Sequence, residues 1–199
     1  MRKKEGNKDQ KILDAAIKVF AQNGFANAKI SQIADMAGVG VGSVYNYYKN
    51  KESILLHILE RIWKNLYLEL EEIYNNPDIS INQKISAFIK STLISLSQNK
   101  DVALLLSNEQ NFWLMQNKGI FSDYYTKFKV LVVEIINEGK QKGLINVNID
   151  AEVMAAFLVG GIRYLIYSWQ RKEFPHTREF LEEQVNIFIS RSLFNEIEF

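Results

Sequence analysis

Cysteine is absent from the 199 residues, which excludes disulfides and thiolate metal sites and suits a reducing compartment. Only two prolines occur, Pro77 and Pro175, and long stretches carry no glycine, too little turn chemistry for an all-β fold. No run of about 18 apolar residues is there to span a membrane. The start "MRKKEGNKDQK" is basic but lacks the apolar segment of a secretion signal. The expectation is a soluble cytoplasmic protein with no membrane partner. Motifs of the HExxH, GxSxG and DDxxD types are missing, and the two histidines, His57 and His176, lie far apart. No catalytic residue, metal or cofactor is therefore expected, and an all-α enzyme is the weakest functional reading.

What is there is a long chain with 47% hydrophobic residues, enough for a sizeable core. The net charge of +1 hides an asymmetry. Residues 1–52 hold nine Lys/Arg against five Asp/Glu, or +4, and the remaining fifteen against eighteen give −3. A basic first quarter suits a polyanion, although uneven scatter of a few charges gives the same count.

Apolar residues recur at helical spacing almost throughout. Ile12, Leu13, Ala16, Ile17 and Phe20 predict a helix over 8–23 stopped at Gly24, and Ile30, Ile33, Ala34 and Ala37 predict a short one ended by Gly38. Further helices are expected over 41–48, 51–74, 80–97, 101–116, 118–142, 151–171 and 178–195. Asp150 is the expected N-cap of the eighth and Thr177 of the ninth, the latter half made because Phe180 stands where a capping box needs an acid or amide. The fold class is all-α, about nine helices. An N-terminal helix-turn-helix domain spans 1–50, and a C-terminal helical bundle for ligand binding and dimerisation spans 51–199.

The segment "GVGVGSVYNYYKNKE", residues 38–52, admits three readings: a phosphate loop, a strand or a tight turn between helices. The phosphate loop fails because a helix pattern precedes it and the spacing is GxGxG, not GxGxxG. The strand fails because only five residues alternate. Helix, turn, helix is left, a unit whose second helix can enter the DNA major groove.

Residues 12–55, "ILDAAIKVFAQNGFANAKISQIADMAGVGVGSVYNYYKNKESIL", resemble the DNA-binding domain of TetR-type transcriptional regulators. That resemblance implies a homodimer on double-stranded operator DNA, with a small-molecule effector bound in the C-terminal part. Ser43, Tyr45, Tyr47 and Lys51 match family positions that contact the DNA backbone, and each carries a donor suited to phosphate. Base reading falls to Val41, Gly42 and Asn46, with Gly40 just before them. Valine can pack on a thymine methyl but cannot make a bidentate guanine contact, so A·T-leaning half-sites are expected. Ala28 departs from the usual Thr or Ser, so Asn27 or Lys29 is expected to hold a phosphate instead. Tyr48 is assigned to the core.

The helices that surround the effector in resembling proteins carry Trp63, Leu66, Phe112, Trp113, Tyr124, Phe128, Phe157 and Tyr164 here. Any one of these apolar residues serves equally as ordinary core. Arg163 in an apolar helix meets either an anionic head group or an ion-pair partner, Glu134 or Glu109. Gly160 and Gly161 with Phe180, Ile187 and Phe188 are expected at a dimer interface of the last two helices. The stretches "KDVALLLSNEQNFW" and "GGIRYLIYSW" are loosely similar to the branch that senses fatty acyl-CoA. The expected function is a repressor released from a palindromic operator by a small apolar effector. The alternatives are a regulator controlled by a multidrug-type ligand, by a protein partner or by no effector.

Overall fold

The computed structural model describes residues 5–97, 99–106 and 120–194. Helix α1 is Glu5–Asn27, α2 Ile30–Ala37, α3 Val41–Tyr47, α4 Lys51–Asn75 and α5 Ile81–Ser97. A helical segment over 100–106 is α6. Then come α7 (Ile120–Gln141), α8 (Ala151–Gln170) and α9 (Arg178–Leu193).

The helix ends follow local chemistry. Gly38 closes α2 at φ 65°, ψ 38°, a left-handed cap that glycine adopts without a Cβ penalty, and Val39 N–H returns 3.0 Å to Ala34 O. Gly24 kinks α1 rather than ending it: φ 70°, ψ 155° interrupts the helix and a further turn follows to Asn27. Asp150 caps α8 by accepting Val153 N–H at 2.9 Å, and Thr177 accepts Phe180 N–H at 3.2 Å, the half-made cap expected there. Two complete boxes were not expected. Asn50 and Ser53 exchange bonds at the start of α4 (2.8 and 3.2 Å), and Ser80 and Gln83 do so before α5 (2.8 and 3.3 Å). The connector after α7 makes an isolated antiparallel bridge from Ile145 to Phe194, with Asn146 N–H donating to Leu193 O at 3.2 Å.

Two compact units emerge: Met1–Ile62 with Asn99–Ser122, and Trp63–Gln98 with Asp123–Phe199. The division falls inside α4, so one unbroken helix belongs to both. In the first unit Ile12, Ala16, Phe20, Ile33, Ala34 and Val44 are fully buried, the small shared core expected of three short helices. Each large aliphatic or aromatic side chain there contributes about 1.5–3 kcal/mol.

In the second unit α8 packs against α5, and Ala155, Leu158, Val159, Ile162 and Ile166 of α8 are buried. At 20 residues and mean hydropathy 1.3, α8 is long and apolar enough to cross a membrane. Burial of this face in a helical bundle gives the apolar pattern a packing reason instead. Lys84 is buried and ion-paired to Glu138 at 3.2 Å, while Lys142 reaches the other Glu138 oxygen at 2.6 Å. Hydrogen bonds from Lys142 and then Lys84 hold the Glu138 carboxyl below its usual range against the opposing effect of burial.

Gly139 marks the tightest approach in this unit. A Cβ there would lie 2.5 Å from Ile145 Cδ1 and 3.0 Å from Ile81 Cγ2, both on fully buried side chains. Gly139→Leu should therefore lower stability by about 1–3 kcal/mol through overpacking. Urea denaturation measures this, and an unchanged midpoint would show that the α5–α7 seam can yield.

Candidate nucleic-acid interface and effector site

Helix α3 sorts its residues by spacing. Val44 is buried, and Tyr48 just past its end is held by Asp9 of α1, whose Oδ1 accepts the phenol at 2.7 Å. Burial first, then that carboxylate, push the Tyr48 phenol far above its ordinary value, so it stays a donor. This is the core role expected of Tyr48. Gly40, Val41, Gly42, Tyr45, Asn46 and Tyr47 are exposed, and Ser43 is half-buried. Gly40 begins α3 without a side-chain cap, as its missing hydroxyl dictates.

Lys29 is exposed at the start of α2, where its own N–H donates to Gln32 Oε1 at 2.9 Å. An exposed tyrosine pair, a serine, an asparagine and a lysine thus surround a short helix whose opposite side is fastened to α1. Side chains of this kind supply phosphate donors and base-edge contacts.

Lys51 is placed differently from expectation. Its ammonium donates to three carbonyls, Phe25 O at 2.7 Å, Ala26 O at 2.8 Å and Ala28 O at 3.1 Å, and lies 4.8 Å from the Phe25 ring centroid. An ammonium has three hydrogens. All three point at the α1–α2 connector, and none is left for a phosphate in this arrangement.

In the second unit, Trp63 is fully buried with Leu66 and Phe128. Its ring meets Tyr125 edge-on at 4.7 Å and Phe128 at 5.3 Å, and Phe128 lies 5.8 Å from Phe88. Among the described residues, Trp63 Nε1 and Arg163 Nη1 are buried donors without a partner. Burial pushes the Tyr125 phenol up, and the positive charge of Arg163 opposes that rise, so the guanidinium acts on the ring that touches Trp63. Among the described residues, Arg163 makes no ion pair with Glu134. Glu109, Phe112 and Trp113 lie outside the described residues. Tyr124 is half-buried beside Tyr67, ring centroids 5.9 Å apart, with Lys127 5.4 Å over its ring.

Phe157 and Tyr164, named above with the ligand group, lie on an exposed side of α8. They are 58% and 63% exposed, on an apolar groove of about 380 Å³ formed by α8 and α9 with Leu158, Gly161, Leu165, Val185 and Phe188. The physical reason is that α8 is apolar all round. Its buried face uses Leu158, Ile162 and Ile166, which turns 157 and 164 outward. Phe180, Ile187 and Phe188 are exposed on α9, and a Cβ on Gly160 or Gly161 would meet nothing within 4 Å.

A short outward helix, a left-handed glycine turn before it and a supporting helix behind it define a helix-turn-helix DNA-binding protein. Residues 12–58 match the family model of bacterial regulatory proteins, tetR family. The fatty acid metabolism regulator protein of Bacillus subtilis is 25% identical over 167 residues, covering 84% of this chain and 86% of that one. Structures of the fatty acid degradation regulator FadR of Bacillus halodurans (TM-score 0.79, 23% identity, 94% and 96% of the two chains) and of Bacillus subtilis FadR in complex with stearoyl-CoA (0.78, 24%, 91% and 97%) share the fold. Residues 12–58 thus carry the DNA-binding domain of the tetR family, and the rest of the chain is similar in sequence and fold to regulators that carry the same domain.

Proposed function

We propose that this regulator is a homodimeric repressor. It binds a palindromic operator through α2 and α3 and is released by an elongated apolar effector of the fatty acyl-CoA class. The observation that carries the DNA reading is the exposed side of α3: Tyr45 is 55% and Val41 41% exposed while Val44 is fully buried. Tyrosines and a small apolar side chain grouped on one short exposed helix suit contacts with phosphates and thymine methyls. Tyr45, Tyr47, Ser43 and Lys29 hold backbone phosphates, while Val41, Gly42 and Asn46 face base edges. The effector class draws support from the stearoyl-CoA bound by the structurally similar Bacillus subtilis regulator and from the unpaired donors Trp63 Nε1 and Arg163 Nη1 in an aromatic interior.

Fluorescence anisotropy with the chain's own promoter region, with and without palmitoyl-CoA, tests both halves. Saturable salt-sensitive binding lost on adding palmitoyl-CoA supports the proposal. Binding that palmitoyl-CoA leaves untouched, while a flat aromatic drug abolishes it, would replace the effector class with the multidrug alternative. Val41→Lys should exchange a thymine-methyl contact for guanine recognition and shift half-site preference from A·T toward G·C by about 1–3 kcal/mol. Selection from a randomised operator library reads this out, and an unaltered consensus would remove Val41 from base reading.

A further inference from the structure

We infer that Lys51 is a positioning residue: a rivet that fixes the α1–α2 connector to the first turn of α4, not a ligand of the DNA backbone. Resting on the operator-binding reading, the inference says how the head is held. A cation in the first turn of a helix opposes the helix dipole, so Lys51 needs an outside partner to be favourable there. It has three, at 2.7, 2.8 and 3.1 Å, on carbonyls of Phe25, Ala26 and Ala28.

Those carbonyls follow the Gly24 kink, where α1 has lost its regular continuation and carbonyls at a helix end lack amide donors. One ammonium satisfies the junction's carbonyls and binds it to a helix more than twenty residues further along the chain. The Phe25 ring, 4.8 Å from the same ammonium and 5.5 Å from Phe20, ties the rivet to the core of α1. On the other side, Asn50 and Ser53 cap the start of α4 immediately after α3. The start of α4 is thereby fastened to both ends of the α2–α3 unit, through the rivet before α2 and through the covalent chain after α3. Displacement of α4 then carries both helices together, with no relative slip between them.

Two measurements separate a rivet from a phosphate contact. Reductive methylation of the DNA-free protein, followed residue by residue by mass spectrometry, should leave Lys51 far less modified than the exposed Lys49, with no further protection when operator is added. A phosphate ligand would label freely and become protected only on DNA. Labelling of Lys51 as fast as Lys49 in the free chain overturns the rivet, and because it needs neither operator nor a variant it stands apart from any failure of operator binding. Operator affinity is then measured against salt for Lys51→Met and Lys29→Met. Lys29→Met should flatten the log–log slope by about 0.9, the value of one phosphate contact. Lys51→Met should lower affinity roughly tenfold or more by loosening the head while the slope stays that of the native chain. A slope flattened by Lys51→Met with little loss of protection elsewhere assigns Lys51 to the phosphate backbone and overturns the inference.

Discussion

Gly161→Arg should give a folded monomer that no longer holds its operator. Inside the chain the change is tolerated, because a Cβ on Gly161 meets nothing within 4 Å. Any loss must therefore come from what covers the groove in solution. That groove is apolar, and Phe157, Tyr164 and Phe188 stand more than half exposed around it. Exposed aromatic surface of this kind is unfavourable in water and favours pairing with a second copy. A two-fold partner would present the same groove, bringing an arginine from each copy into one seam.

Two arginines there would place like charges in an apolar seam, a desolvation cost no nearby acid offsets. Dimer loss removes the second half-site, and a single head falls from specific toward non-specific affinity. The expected loss is about a thousandfold or more. Light scattering reports the mass and anisotropy the affinity, with circular dichroism as the check on folding. A dimer of native mass in Gly161→Arg would put the interface on another face.

The ease with which the head was read from sequence has a physical source. Gly38 can be placed because a left-handed cap needs glycine, and Val44 and Tyr48 because a spacing of four on a short helix must bury one side. Local rules of this kind operate within a few residues. Lys51 escaped them: its partners Phe25, Ala26 and Ala28 lie 23 to 26 positions away. Only the folded junction brings these carbonyls to the ammonium. Side chain type alone allowed phosphate equally well.

Helix α8 escaped for another reason. With Leu158, Ile162, Ile166, Phe157 and Tyr164 all apolar, periodicity could not say which face turns inward, and the exposed aromatic residues were grouped with interior ones. Gly139 gave no warning either, since its close neighbours Ile145 and Ile81 come from separate segments. The kink at Gly24 lies between these cases. Glycine there pointed to a break, yet whether the chain resumes a turn afterwards depends on what receives its carbonyls, and that is Lys51.

Arg163→Met should separate effector binding from operator binding. Among the described residues the guanidinium has a buried nitrogen without a partner, and Trp63 Nε1 is in the same condition on α4. A buried donor left unpaired costs about 1–3 kcal/mol, so an effector bringing acceptor oxygens to these donors gains that much by pairing them. A thioester carbonyl or a phosphate supplies such acceptors, and the surrounding Phe128 and Phe88 suit an acyl chain.

Methionine keeps much of the arginine stem's volume and carries no donor, so the effector-free fold should be as stable or slightly more so. Operator affinity should stay close to native, because Arg163 is not among the exposed donors around α3. The palmitoyl-CoA concentration for half-release should rise about 10- to 150-fold, the equivalent of a lost hydrogen bond to a charged group. Half-release at the native concentration in Arg163→Met would sever Arg163 from the effector. Release lost at every concentration, with palmitoyl-CoA still bound by calorimetry, would instead make Arg163 part of the transmission through α8.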